Sequence, residues 1–287
     1  MRNMARQEKS AVVLRWPEIP VPPGAAHDFV FAVNEGATYR VTNAEVQRNY
    51  APVADDLSNI LGRKVGIVAV SDYQEIAKGL SEARYDLAYV HPAHVALKGL
   101  AVDGYRLLAL TKGYTDYRAH FLVRTDSTVR TAADLRGKKV GAPTMDSVTS
   151  VLMRTTLRES AANGDEGVKY LIARYQDGIR FMVEHGLVDA GATGSDSIAQ
   201  AWTAGGGRIA FSSKPVPVKL VLASKRVGPK DLTSLQNYFI FLEQSNQGRR
   251  ILETIDKAGF VPPAPATVQR LQALVAPTEF LCKFVER

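Results

Sequence analysis

The sequence predicts an α/β protein built as two lobes. Short apolar runs alternate with segments of helical periodicity along most of the chain, the signature of parallel sheets flanked by helices. The alternation is interrupted near Gly113–Arg118 and near Ser212–Pro217, and each interruption reads as a crossing of a hinge. One lobe then comprises about 28–112 plus 218–287, and the other about 118–212. In open sheets of this kind, ligands sit outside the carboxyl ends of the strands.

Residues 1–27 are rich in proline (Pro17, Pro20, Pro22, Pro23) and read as an extended N-terminal arm. Phe29 to Val33 is a continuous apolar run ending in Asn34-Glu35-Gly36, as in a buried strand that feeds a loop. Val46, Tyr50, Val53, Leu57, Ile60 and Leu61 recur at helical spacing, and Gly62 supplies the stop. Lys64 to Val70 is the second strand, Ile76 to Leu80 a short helix, and Leu87 to Val90 a third strand ending at His91-Pro92. Strands follow at Leu107–Leu110, His120–Val123 and Lys138–Ala142, then a helix over Val148–Arg158. Leu171–Ala173 and Val188–Ala192 read as strands and Ile179–Glu184 as a helix. Another helix, Ser195–Thr203, stops at Gly205-Gly206-Gly207. Val218–Ala223 returns as a strand, followed by helices around Leu235–Leu242, Arg250–Ala258 (stopped by Gly259) and Val268–Leu274. No internal repeat of 20–50 residues is visible.

Composition narrows the function classes. The 287 residues carry a net charge of +7, suited to an anionic partner. The basic residues are scattered among acidic ones with no block of five, which argues against nucleic acid. No run of eighteen apolar residues is present to span a membrane. Met1 to Ser10 lacks an apolar signal-peptide core, so the chain is expected to be cytosolic or numbered as a mature protein. The one cysteine, Cys282, excludes an intramolecular disulfide and any multi-cysteine metal site, and its apolar neighbours suggest a buried or peripheral thiol. His91 and His94 have i,i+3 spacing but no third ligand, so no metal is expected. The chain has no Gly-x-Ser-x-Gly elbow, Walker loop or His-Glu-x-x-His, which disfavours catalysis.

The most informative stretch is Gly141 to Ser150, where a strand leads into a helix through Asp146-Ser147-Val148-Thr149-Ser150. Asp146 or Ser147 is the expected N-cap. The first-turn amides, the helix dipole and the hydroxyls then point at one spot, an arrangement suited to a tetrahedral oxyanion. Ordinary capping accounts for the same pattern equally well.

Several segments in order resemble the phosphate/phosphonate-binding periplasmic proteins of ABC transporters (the PhnD-like family). They are Tyr50-Ala51-Pro52 ahead of a helix, Val70-Ser71-Asp72-Tyr73, Tyr85 to Pro92, Ala133 to Lys138, Val188-Asp189-Ala190-Gly191 and Lys214-Pro215-Val216-Pro217. The resemblance spans about residues 29–260. It implies the type II periplasmic-binding fold, with a ligand cleft between the lobes and a hinge of two crossings. It further implies a solute-binding role for a small oxyanion of the phosphonate, phosphate or phosphite class, and delivery to a membrane ABC permease. No cofactor is implied, the protein is expected to act as a monomer, and its place is the periplasm or a membrane-tethered extracytoplasmic position. The same fold could instead feed a membrane receptor kinase.

Carried over residue by residue, the family's ligand-contacting tyrosines fall on Tyr73 and Tyr117, and its oxyanion cradle on Ser147, Val148 and Thr149. Val148 stands where a hydroxyl residue is usual, leaving its backbone N–H as the donor. A His-acid pair matches Gln176-Asp177, and His91 borders the cleft at a strand end. Two acidic positions that hold an amino group in aminophosphonate binders fall near Asp196 and Lys219. The reversed charge at Lys219 leads to the expectation of a ligand without an amino group.

Overall fold

The computed structural model describes residues 29–36, 41–101, 103–145, 147–160, 167–173 and 176–275. The expected N-terminal arm, Asp146 and Cys282 lie outside the described residues.

Strand β1 (Phe29–Asn34) is buried on both faces: Phe29, Phe31 and Val33 join one core, Val30 and Ala32 another. A strand covered on both sides needs no polar alternation, which is why it reads as an unbroken apolar run. Helix α1 (Asn43–Leu61) starts on a capping box: the Glu45 amide donates to the Thr42 hydroxyl, and the Glu45 carboxylate accepts from the Thr42 amide. Val46, Tyr50, Val53 and Leu57 form its buried face, and Gly62 closes it at φ 63°. That left-handed conformation carries no penalty in a residue without Cβ. Pro52 lies inside this helix rather than ahead of it. It removes one internal hydrogen bond, and packing of the helix on its neighbours holds it together across that gap.

The chain continues through β2 (Val65–Ala69), α2 (Tyr73–Ser81), β3 (Leu87–Val90), α3 (Leu97–Ala101), β4 (Arg106–Thr111) and β5 (His120–Val123). Next come β6 (Lys139–Ala142), α4 (Val148–Ser160), β7 (Lys169–Ile172), α5 (Gln176–Glu184), β8 (Ala190–Thr193), α6 (Asp196–Ala204) and β9 (Arg208–Ser212). The remainder is β10 (Leu220–Ala223), α7 (Pro229–Phe241), α8 (Asn246–Thr254), β11 (Phe260–Val261) and α9 (Pro265–Val275).

These strands form two sheets, ordered β2-β1-β3-β10-β4-β11 and β7-β6-β8-β5-β9. The two orders match strand for strand apart from the extra β11. In each, two parallel pairings are followed by an antiparallel fourth strand, β10 in the first sheet and β5 in the second. That fourth strand is the one entered directly after the chain changes sheets. The fold is therefore a mixed α/β architecture of two lobes. The connecting stretches pair with each other: the amide of Tyr117 donates to Val216 O, that of Val216 to Tyr117 O and that of Val218 to Tyr114 O, each at 3.0 Å.

Several boundaries differ from the sequence expectation. The strand expected at Leu171–Ala173 runs over Lys169–Ile172, at the sheet edge, where side chains are largely exposed and apolar content is a poor guide. Helix α7 begins at Pro229 rather than near Leu235, since proline is favoured at the first helical position. Helix α8 is set by Ser245, whose hydroxyl accepts from the Gly248 amide, and ends before Gly259, which turns the loop into β11. Strands β9 and β11 and helix α3 were not anticipated; β9 is only half-buried and β11 has two residues.

Candidate ligand-binding cleft

Where the strand ends of the two sheets approach, a cavity of about 310 Å³ is lined by Tyr73, His91, Pro92, Tyr114, Tyr117, Ser147, Val148, Thr149, Gly194, Ser195 and Val218. The size suits a small solute. Its walls come from both sheets and from the stretches between them.

Three helices begin at this cavity. The Asp72 carboxylate caps α2 by accepting from the Glu75 amide at 2.8 Å, and Tyr73 is the first residue of that helix. The Ser147 hydroxyl accepts from the Ser150 amide at 3.2 Å and caps α4. The Ser195 hydroxyl accepts from the Ile198 amide at 3.3 Å and caps α6. Each cap takes up one of the amides left over at a helix start. The positive ends of the three helix dipoles therefore lie at residues that line the cavity. Val148 is the first residue of α4, so its backbone N–H lies at one of these ends although its side chain offers no donor.

The hydroxyls are held in place by packing. Thr149, 1% exposed, is 2.6 Å from the Tyr117 hydroxyl through its Oγ1. One of the two hydroxyl protons lies in that bond. A Cβ at position 194 would sit 1.7 Å from the Tyr117 hydroxyl and 2.7 Å from Thr149 Oγ1. Gly194 therefore lets the β8–α6 loop approach this pair.

On the other side, His91 Nδ1 is 3.1 Å from Val218 O. A carbonyl can only accept, so this nitrogen carries the proton. Burial pulls the His91 pKa from 6.5 down to about 4 against the effect of that bond, with the Lys219 charge adding to the depression. The imidazole is thus neutral at pH 7. Behind it lies a buried ionic group: Lys257 Nζ is 3.0 Å from Glu35 Oε1 and 3.2 Å from Oε2, and the Tyr50 hydroxyl donates to Glu35 Oε1 at 2.5 Å.

Of the residues singled out from sequence, the cavity brings together Tyr73, His91, Tyr117, Ser147, Val148 and Thr149. Asp177, Asp196 and Lys219 are not among its lining residues. Asp177 is exposed in the first turn of α5, and the side chain of Gln176 lies outside the described residues. Asp196 is held by His120, whose Nε2 is 2.9 Å from its carboxylate, and is otherwise largely in solvent. Lys219 is buried, with Nζ 3.8 Å from the Tyr114 ring centroid. Pro92, Tyr114, Gly194, Ser195 and Val218 were missed. Gly194-Ser195 repeats the strand–hydroxyl–helix pattern that pointed to Ser147, and could have been found by it. Among the described residues no group of three or more His, Cys, Asp or Glu could hold a metal ion, and no helix is long and apolar enough to cross a membrane.

A family model described as "ABC transporter, phosphonate, periplasmic substrate-binding protein" matches residues 36–268. The chain belongs to this family. It is thus the substrate-binding component of an ABC transporter rather than an enzyme, acting outside the cytoplasm with a small anionic ligand and a membrane permease as partners. Solved structures agree in fold. XAC2383 from Xanthomonas citri bound to ATP superposes on this binding protein with a TM-score of 0.67 at 19% identity, covering 90% of this chain and 99% of that one. PhnD1 from Prochlorococcus marinus in complex with methylphosphonate gives 0.57 at 14% identity, covering 86% and 97%. The periplasmic aliphatic sulphonate binding protein SsuA from Escherichia coli gives 0.52 at 17%, covering 91% and 95%.

Proposed function

We propose that the cavity binds one small tetrahedral oxyanion of the phosphonate, phosphate or phosphite class, and that the lobes 28–112 plus 218–287 and 118–212 close on it about the two crossings. The observation that carries this reading is the convergence of three helix starts and the Ser147, Thr149 and Tyr117 hydroxyls on one cavity. Among the described residues that line it, none is a carboxylate. A tetrahedral anion presents several acceptor oxygens and takes many donors at once, with charge-assisted bonds the strongest of them. Ser147, Tyr73 and one member of the Tyr117–Thr149 pair donate side-chain protons in this reading, and Val148 contributes its amide. Neutral His91 orients the strand end beside them. Donors on both lobes favour the closed state, so the ligand shifts the open–closed population. The protein works as a monomer.

The test is a melting series with phosphate, phosphite, methylphosphonate, ethylphosphonate and methanesulfonate. One of them is expected to stabilise the protein by roughly 2.7 kcal/mol at a hundredfold excess over Kd. Thr149→Ala should weaken that ligand by about 1–3 kcal/mol, the cost of a charged acceptor left short of a donor. A flat response to the whole series at millimolar concentration would refute the assignment.

A further inference from the structure

We propose that His120 is a positioning residue of the binding cavity: it bridges Asp196 to Ser212 and so fixes the cavity end of α6, and Gly194 and Ser195 with it. This rests on reading the cavity as an oxyanion site and adds a residue outside the cavity that shapes it.

His120 opens β5 and lies in register with Thr193 of β8 on one side and Ser212 of β9 on the other. Its Nε2 is 2.9 Å from Asp196 Oδ1, and its Nδ1 is 2.8 Å from Ser212 Oγ. A carboxylate only accepts, so Nε2 carries a proton. A hydroxyl can donate to a bare Nδ1 or accept from a protonated one, and the bridge holds in either state of the ring. Asp196 is the first residue of α6, and the two residues before it, Gly194 and Ser195, line the cavity. Ser212 ends β9 and leads into the second stretch between the sheets. The next residue is pinned to the strand of His120: the Ser213 amide donates to Ala119 O and the Ala119 amide to the Ser213 hydroxyl, each at 2.9 Å.

Helix α6 is tied to the same two strands at its other end. Trp202 Nε1, in the last turn, donates to Val123 O at 3.1 Å and to Arg208 O at 3.2 Å. Val123 and Arg208 face each other at one end of the β5–β9 pairing, as His120 and Ser212 do at the other. The Trp202 anchor is buried in one apolar cluster with Leu122, Ile179 and Ala199, so it persists without His120. Removing His120 then frees only the first turn, the end that meets the cavity. Gly194 stands so near the Tyr117 hydroxyl there that a small movement of this end changes the spacing of Ser195 from Ser147 and Thr149. Because the Asp196 side chain is 82% exposed, its pairing with His120 contributes little to stability. What the pairing sets is the direction of the helix start.

Titration calorimetry with methylphosphonate and methanesulfonate, run beside urea unfolding, separates positioning from a merely structural role. His120→Ala should weaken whichever of the two anions the wild type binds by about tenfold, with a urea midpoint close to that of the wild type. Asp196→Ala should act alike, and the double variant should fall within about twofold of either single change, because both remove the same bridge. Asp196→Asn keeps an oxygen that accepts from Nε2 and should hold the affinity within about threefold of the wild type. Should His120→Ala not fold, Asp196→Ala beside Asp196→Asn gives the same decision. A fall in affinity matched by an equal fall in stability overturns the inference, as do multiplied losses in the double variant or an Asp196→Asn loss as large as that of Asp196→Ala. Failure of the wild type to bind either anion overturns the oxyanion reading and this inference with it, whereas wild-type affinity in His120→Ala overturns this inference alone.

Discussion

The two sheets arrange their strands in the same order yet turn different chemistry toward the space between them. At the first sheet, the strand ends carry buried titratable side chains: Glu35 just past β1 pairs with Lys257 from beyond α8, Lys219 leads into β10, and neutral His91 follows β3. At the second, the same topological positions carry small hydroxyl residues at helix starts, Ser147 and Thr149 after β6 and Ser195 after β8. Topology thus specifies where a functional residue sits, not what it does. One side buries charged and titratable side chains behind the cavity, and the other places hydroxyls and helix starts along it.

Perturbing each side should give separate responses. The largest effect is expected at Glu35. Glu35→Ala leaves the Lys257 ammonium, 3% exposed, without its carboxylate. Breaking one partner of a buried pair costs about 3–5 kcal/mol, measurable as a lower urea midpoint, whereas truncating the second-sheet hydroxyls should act mainly on binding. An equal loss of stability from Thr149→Ala would erase the distinction between the sides.

Acid titration of the first side comes next. His91 has a pKa of about 4 when folded against an ordinary 6.5. Between those values the unfolded chain takes up a proton that the folded chain does not, so this residue's contribution is intact above pH 6.5 and is lost as pH falls toward 4. The loss amounts to roughly 3 kcal/mol at most. Urea midpoints measured at pH 7 and pH 4.5 should diverge in the wild type more than in His91→Gln. Equal slopes would show that His91 is not held neutral by its surroundings.

The smallest of the three effects concerns the second side. Gly194→Ala places a methyl group against the Tyr117–Thr149 pair and should cost about 1–3 kcal/mol through overpacking. Because the displaced groups are hydroxyls in the cavity, calorimetry should show weakened anion binding as well. Full affinity in this variant would mean that the pair has no part in holding the ligand.

Much of the secondary structure was legible because it depends on near neighbours. The helical spacing of Val46, Tyr50, Val53 and Leu57 recurs every three or four residues, and the apolar run Phe29–Val33 is continuous. The Ser147 helix start could be read for the same reason, since a cap and the amide it serves lie within one turn. Sequence-local signals were weakest where burial was partial, as in β9, and at the edge strand β7.

By itself, then, the sequence determined most of the alternation of strands and helices, the two intervals in which the chain passes from one sheet to the other, and the helix start at Ser147. Tertiary structure decided which strand enters each sheet in fourth place, that Gly194 must be bare for Tyr117 to meet Thr149, and that Lys219 turns inward under Tyr114 while Asp196 turns outward to His120. Those outcomes rest on partners far apart in the chain, such as Glu35 and Lys257, separated by 222 positions. A period of two or of 3.6 residues records which face of an element is buried, and carries no information about which distant side chain will be found there.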